Sequence, residues 1–472
     1  APRLRSQQRV LHDAAWLAAI LAAFSGLAFL FACYVASGDD EQGFVIYGQL
    51  ATTGQIRLYQ DDMLGYRLPL PFYVNGLPQL LVGKSLLAPR LLSIALGAAM
   101  LVVLFALGHC VAGSVGGFLA VLLVATNGML LGYYARASYF SLSALLIVAG
   151  VLAIAHHRPF LGMLSFALLA VTRAHLAVLV PAVLVYLLVA EARTMRDRAA
   201  LVAIAVAPAL TFLAWSHEHW KVLAYVPVAR RLVEPLGYRS LFDLGAIDLA
   251  AIPGPLDWLT TFVRRYVFWV AATVAVGAAW LALSRPRPPK IVLLSAGLCL
   301  WAVACSVVII PRFATSVAAW AVTFAPLWAL VLAWGAAVVF DRGRRTFRIA
   351  LAVILGLVFA VAPYRARNPS MPIVLPPMTT PAAYAAQAAI IKAAVPVGER
   401  VFLVADPLPA WLAGARLHLQ QVVPIWMLVP SEDQRAVSRS GVWGPRDLEE
   451  WLGEARYAII DESILEGYRQ AE

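Results

Sequence analysis

Five of the chain's 26 acidic residues fall within one short stretch, residues 37–73: Asp39, Asp40, Glu41, Asp61 and Asp62. The stretch is the first polar break after an apolar run over residues 14–36, which is long enough to span a bilayer. A carboxylate cluster at the mouth of a membrane bundle is where chemistry is expected, since carboxylates take protons from hydroxyls and hold cations. Three arginines, Arg136, Arg173 and Arg312, sit in very short turns between apolar segments, where an unpaired guanidinium is expensive. Singly, each reads equally well as a side chain snorkelling to lipid headgroups. Together, facing an acidic loop, they favour bidentate binding of a phosphate. His175 can hydrogen-bond the same phosphate or the group it carries, although a lone histidine at a helix end is more often structural. A third cluster, His217-Glu218-His219, opens a long outer loop and could share a divalent cation with Asp39 or Asp40. Its spacing is not that of HExxH, and an interfacial His/Glu/Trp cluster is the plain alternative. No cofactor is expected.

These residues have to be positioned by a membrane bundle, because 62% of the 472 residues are hydrophobic, far above the usual 45–50% or so of soluble domains. The net charge of +11 does not argue for nucleic acid, since the basic residues lie in short loops between apolar spans, the positive-inside pattern. Cys33, Cys110, Cys299 and Cys305 lie in or beside apolar segments without metal spacing, so they read as small core residues. The first apolar run is too long for a cleaved signal peptide. Spans are expected at 14–36, 89–111, 114–132, 138–155, 199–216, 263–283, 291–310, 316–340 and 347–363. Residues 160–190 are long for one span and short for two, and charge decides between them. The basic tail (Arg3, Arg5, Arg9) and the loops Arg193/Arg196/Arg198, Arg285/Arg287/Lys290 and Arg342/Arg344/Arg345/Arg348 share one side only if 160–190 crosses twice. Thr172 to His175 then form the outer turn between two short helices. About eleven crossings result, with the N-terminus cytoplasmic and the C-terminus outside. The abundance of arginine and alanine suggests a GC-rich bacterial source, and hence a bacterial inner membrane.

Two outer loops are expected, 37–88 and 217–262, the second with surface-lying amphipathic pieces. From about residue 379 the pattern becomes that of a small soluble α/β unit, with helices at 381–395 and 446–453 and strands at 401–405 and 457–460. It is expected to pack on the outer mouth of the bundle. In the first loop, Asp39 and Gln42 have capping-box spacing, and Gly54 would end that helix. Pro71 suits the first turn of a second helix anchored by Phe72 and Tyr73 at the interface.

Asp40-Glu41 directly after the first span, the helix from Tyr47 to Gly54, and Pro71-Phe72-Tyr73 together resemble the GT-C membrane glycosyltransferases. The nearest types are the protein O-mannosyltransferases and aminoarabinose transferases. Tyr133-Tyr134-Ala135-Arg136 and residues 169–175 match in character, as does the plan of a bundle (residues 1–364) followed by a small extracytoplasmic domain (365–472). The double proline of the family is here Pro69-Leu70-Pro71. What the resemblance implies is inverting transfer of a sugar from a polyprenyl-phosphate donor to a glycan, lipid or protein acceptor at the outer face. Asp40 is then the general base, Asp39 its runner-up and Glu41 a positioning partner. Arg136, Arg173, Arg312 and His175 receive the donor phosphate, and Tyr47, Tyr73 and Tyr134 contact substrate. A lipid-linked-glycan ligase and a lipid or sugar transporter are the alternatives. A transporter should carry its charges mid-span, whereas here they collect at one face.

Overall fold

A computed structural model describes residues 2–34, 37, 39–59, 68–225, 229–239, 254–282, 287–309, 317–361, 380–422, 437, 439 and 443–462. Helix α1 (Pro2–Tyr34) carries the first apolar run. Next come α2 (Asp39–Thr52) and α3 (Pro69–Val82), the two helices of the first loop. The next helical stretch, α4 (Leu87–Ala125), has 39 residues, about 58 Å at 1.5 Å per residue and roughly twice a hydrocarbon core. It is broken where the sequence placed a boundary, at Ala112 and at Gly113, whose φ of 66° an L side chain adopts only with strain. The two halves fold back on each other with Gly108 against Gly117. The Ser114 hydroxyl donates to Asp13, pinning this hairpin turn to the start of α1.

Asn127 caps α5 (Gly128–Tyr134), and α6 (Phe140–Ala155) returns from it. The long apolar run then divides into α7 (Pro159–Leu169) and α8 (Leu179–Ala190), separated by Thr172 and a short 3-10 turn at Ala174–Leu176. His157 and Glu191, at the far ends of these helices, approach to 3.9 Å, so the chain runs to one end of the bundle and back. Residues 160–190 thus form the two short helices expected there. A Thr194/Asp197 capping box starts α9 (Met195–Trp215). After α10 (Arg230–Val233) come the amphipathic α11 (Pro255–Arg265) and, bent sharply from it, α12 (Val267–Ala282). Then come α13 (Lys290–Ala304), α14 (Val317–Arg342) and α15 (Arg345–Val361). Among the described residues, five helices are long and apolar enough to cross a membrane, or six if the bent α11–α12 pair is one span. Four more apolar helices have 10–17 residues. The core runs between α4, α6 and α14, with Leu101, Leu104, Ile147, Leu327 and Leu330 fully buried. All four cysteines are free thiols.

The C-terminal segment forms α16 (Pro381–Ala394), β1 (Val401–Val404), α17 (Pro407–Ala413), α18 (Pro445–Glu454) and β2 (Tyr457–Ile460). The strands pair in parallel, Val401 opposite Tyr457, and the helices between them supply the crossover that a parallel pair needs. A small separate core, including Val401, Leu403 and Ala410, fills the space beneath. The two loop helices differ from the interfacial pair expected. Residues Glu41 to Gln49 of α2 are all buried, because α2 is held between the bundle and the C-terminal segment. The Tyr47 hydroxyl donates to the Leu419 carbonyl and Trp411 Nε1 to Gln49. On its other side α2 meets α3 so closely that a Cβ on Gly76 would lie 2.2 Å from the Gly48 carbonyl oxygen. Glycine at both positions lets Phe44 and Phe72 pack at 5.1 Å.

Candidate active site

Glu41 lies in the first turn of α2, where the helix dipole favours a carboxylate, and it is buried together with Arg90 from the first turn of α4. Arg90 grips it as a fork, Nε donating to Oε1 at 2.8 Å and Nη2 to Oε2 at 2.7 Å. The Ala137 amide donates to Oε1 at 2.8 Å, and Arg90 Nη1 donates to the Ala32 carbonyl. One carboxylate therefore ties together the end of α1, the starts of α2 and α4, and the turn between α5 and α6. With its oxygens so occupied, Glu41 positions its surroundings. Glu41 is among the residues expected at the site, whereas Arg90 is not. The signal was present: in the expected topology Arg90 opens an apolar span on the side where positive charge is disfavoured.

The turn braced by Glu41 carries Arg136. This guanidinium is largely withdrawn from water, and its Nε has no hydrogen-bond partner among the described residues. Burial lowers its pKa, opposed by the Glu41 charge nearby. The Ser138 and Ser37 hydroxyls are also buried without a partner among the described residues. A little further along, Tyr139 has the Arg173 guanidinium over its ring at 4.8 Å and His175 edge-on at 6.0 Å. Arg136, Arg173 and His175, far apart in sequence, are thus brought to one end of the bundle around a single turn. Arg312, Asp61 and Asp62 lie outside the described residues, as do the side chains of Asp39 and Asp40, which open α2 directly before Glu41. The capping-box reading of Asp39 falls there too, while Gln42 itself donates to Asp406 at 2.9 Å.

Asp406 is a residue that sequence reasoning missed. It caps α17 by accepting from the Leu408 amide, and its other oxygen accepts from Gln42 and from the Tyr384 hydroxyl, each at 2.9 Å. Burial raises the Tyr384 pKa, and the charges of Asp406 and Glu41 raise it further, so this hydroxyl stays a donor. The C-terminal segment thus reaches down to the Glu41–Arg90 pair. Only an aspartate after a strand and before Pro407 was visible in the sequence, with nothing to say what it met.

Of the three tyrosines expected at substrate, two are placed elsewhere. Tyr47 and Tyr134 are fully buried with their hydroxyls donated to the Leu419 and Val322 carbonyls, which makes them packing residues. Tyr73 is half exposed on a groove of about 1000 Å³ between α3, α7 and α9, walled by Leu70, Leu168, Pro208 and Phe212. The two imidazoles offered for a metal diverge. His217 is exposed and pairs with Glu218 at 3.0 Å. His219 is buried, stacks on Phe212 at 4.5 Å and places Nδ1 2.6 Å from the Phe212 carbonyl. No group of three or more metal-ligating side chains occurs among the described residues.

No protein-family model matches the sequence, and neither does any curated protein. Solved structures do. ArnT from Cupriavidus metallidurans bound to undecaprenyl phosphate aligns over 94% of this chain and 91% of its own, with 12% identity and a TM-score of 0.55. The oligosaccharyltransferase of Archaeoglobus fulgidus in its apo form aligns over 85% of this chain with 12% identity and a TM-score of 0.50. This chain spans 64% of the length of that oligosaccharyltransferase. The fold is the GT-C fold. The likeness covers nearly the whole of both this chain and the ArnT chain. The cluster of Glu41, Arg90, Arg136, Tyr384 and Asp406 is where this GT-C bundle meets its C-terminal segment.

Proposed function

We propose that the chain is an inverting glycosyltransferase of the membrane that takes a sugar from a polyprenyl-phosphate carrier. The observation that carries this is Arg136, a largely buried guanidinium whose Nε–H is unused among the described residues, beside the Glu41–Arg90 pair, in a bundle whose fold is shared with ArnT crystallised with undecaprenyl phosphate. A buried donor without a partner costs about 1–3 kcal/mol, which an anionic ligand would repay. In the proposed reaction Asp40 takes the proton of an acceptor hydroxyl while that oxygen attacks the anomeric carbon from the face opposite the phosphate. The bond from the anomeric carbon to the phosphate oxygen breaks, and its electron pair leaves with the phosphate. Arg136, Arg173, Arg312 and His175 receive that charge, so the leaving group needs no proton. The configuration inverts through an oxocarbenium-like transition state. The apolar groove beside Tyr73 suits a prenyl chain.

In the proposed topology the chain crosses a bacterial inner membrane eleven times, its N-terminus cytoplasmic and its C-terminal segment an extracytoplasmic domain. The acceptor is a glycan, lipid or protein at the outer face. One carboxylate and a set of cations suffice for this chemistry, so activity should survive chelators. A thin-layer assay with radiolabelled polyprenyl-phosphate sugars tests the reading. Arg136→Ala should weaken donor use by about 2–5 kcal/mol, and Lys at that position should restore it only in part for want of the planar fork. Wild-type donor kinetics in the Ala variant would remove Arg136 from the phosphate site.

A further inference from the structure

A second cavity lies on the opposite flank of α2, where the first loop meets the C-terminal segment. It has a volume of about 690 Å³, within the range of small-molecule sites. One wall is apolar, with Ile46 and Leu50 of α2 and Ile56 beyond it. The other wall is cationic. Lys84, Arg400 and Arg416 all line the space, and no carboxylate is among its described lining residues. Lys84 is steered there by donating to the Trp411 carbonyl at 2.8 Å with its ammonium over the Trp411 ring. Arg400 is partly offset by Glu454 at 2.7 Å, while Arg416 is exposed.

His418 completes this wall. It is 9% exposed, stacks on Trp451 at 4.9 Å, and its Nε2 is buried without a hydrogen-bond partner among the described residues. Burial, and then the nearby Arg400 charge, depress its pKa to about 4, so the ring is neutral and offers a hydrogen bond rather than a charge. Three cationic side chains on one wall, beside a buried nitrogen unsatisfied among the described residues, favour a ligand of opposite sign that can also hydrogen-bond.

We propose that this cavity is an acceptor subsite that holds an anionic group, a phosphate or carboxylate carried by the part of the acceptor remote from the reacting hydroxyl. The inference rests on the transferase reading above. Its placement follows from α2 itself. Ile46 and Leu50 lie six and ten residues beyond Asp40, about 9 and 15 Å along the axis at 1.5 Å per residue. An acceptor whose anionic group lies about 9–15 Å from its reacting hydroxyl matches the distance from the start of α2 to this cavity. The apolar wall suits the C–H face of a sugar ring, and the cations suit its acidic substituent.

The test uses the full chain in detergent, with glucose 6-phosphate and inorganic phosphate as probes against sodium chloride at matched ionic strength. Binding is read by thermal shift and by titration calorimetry. Glucose 6-phosphate should bind the wild type, and Arg416→Ala and Arg400→Ala should each raise its Kd at least fivefold, whereas chloride should do nothing. Equal binding in both variants, or an equal effect of chloride, overturns the subsite. Repeating the titration in phosphatidylglycerol and phosphatidylcholine nanodiscs identifies the source of the anion. Competition by phosphatidylglycerol marks a lipid headgroup, and its absence marks a glycan or other soluble anion. Arg136→Ala, assigned to the donor, should leave this binding unchanged. Absence of probe binding by the wild type, with donor binding intact, would therefore count against the subsite alone.

Discussion

Two neighbouring carboxylates at the start of α2 should fail in opposite ways when neutralised. Glu41→Gln leaves Arg90 buried with a poorer partner. Breaking a buried pair costs about 3–5 kcal/mol, so the variant should show a lower unfolding temperature and reduced yield. The double variant Glu41→Gln with Arg90→Met should recover much of that loss, because no charge is then left buried without a partner. If the double variant is as unstable as the single one, the pair contributes geometry that packing cannot replace. Asp40→Asn, by contrast, should fold normally and lose about 10²–10⁴ in turnover with donor affinity little changed. Asp39→Asn should cost at most about 1 kcal/mol, since Asn caps nearly as well as Asp. Normal turnover in both Asp39→Asn and Asp40→Asn would remove the active centre from this loop. At this scale the sequence is half legible. A helix-opening acidic run is a local pattern, so Glu41 is visible, but Arg90 is 49 residues away and Asp406 is 364 residues from Gln42, and no periodicity links such pairs.

The elements are more legible than their contacts. Apolar length and basic loops predict the break of α4, the paired α7 and α8 and the two C-terminal strands, because each depends on hydrophobicity, charge or Gly and Pro within a few residues. What the sequence does not convey is that α2 is enclosed on both sides, since its Tyr, Gln and Glu suit an interface equally well. The enclosure depends on the α2–α3 crossing. Gly76→Ala would drive its new methyl into the Gly48 carbonyl, so the helices must part. Overpacking of this kind costs about 1–3 kcal/mol and should also loosen the Glu41 end of α2, lowering stability and activity together. An unchanged melting temperature would mean that α3 yields freely. The path of α7 and α8 is tested by impermeant thiol labelling. Thr172 is fully buried, so the reporter belongs at Ala174, which is partly exposed, with Arg196 as the opposite-side control. Cysteine at Ala174 should label from outside and cysteine at Arg196 should not. The reverse pattern would mean that residues 160–190 cross once.

The whole molecule is held as one piece where the C-terminal segment clasps α2, and that clasp should respond to acid. His418 sits inside it, buried and stacked on Trp451, with its pKa depressed to about 4 from an ordinary value of 6.5. In the unfolded chain the ring takes up a proton near 6.5, and in the folded chain only near 4. Between these values the unfolded state binds more protons, so stability rises with pH across that window and is lost as pH falls through it. The loss is at most about 3 kcal/mol, since each pKa unit is worth about 1.4 kcal/mol. It is concentrated in the C-terminal segment, because the imidazole must leave its stack to become charged. Limited proteolysis and hydrogen exchange should therefore show residues 395–422 and 443–460 losing protection between pH 6.5 and 4 before the α4–α14 core does. His418→Gln cannot titrate, so whatever its starting stability, its protection should be flat across that window. Gln42 and Tyr384, bound to Asp406, carry the loosening to the Glu41 end of α2, and proposed acceptor turnover should fall over the same range while donor binding persists. A variant that still loses protection between pH 6.5 and 4 would place the acid-sensitive group elsewhere in the clasp.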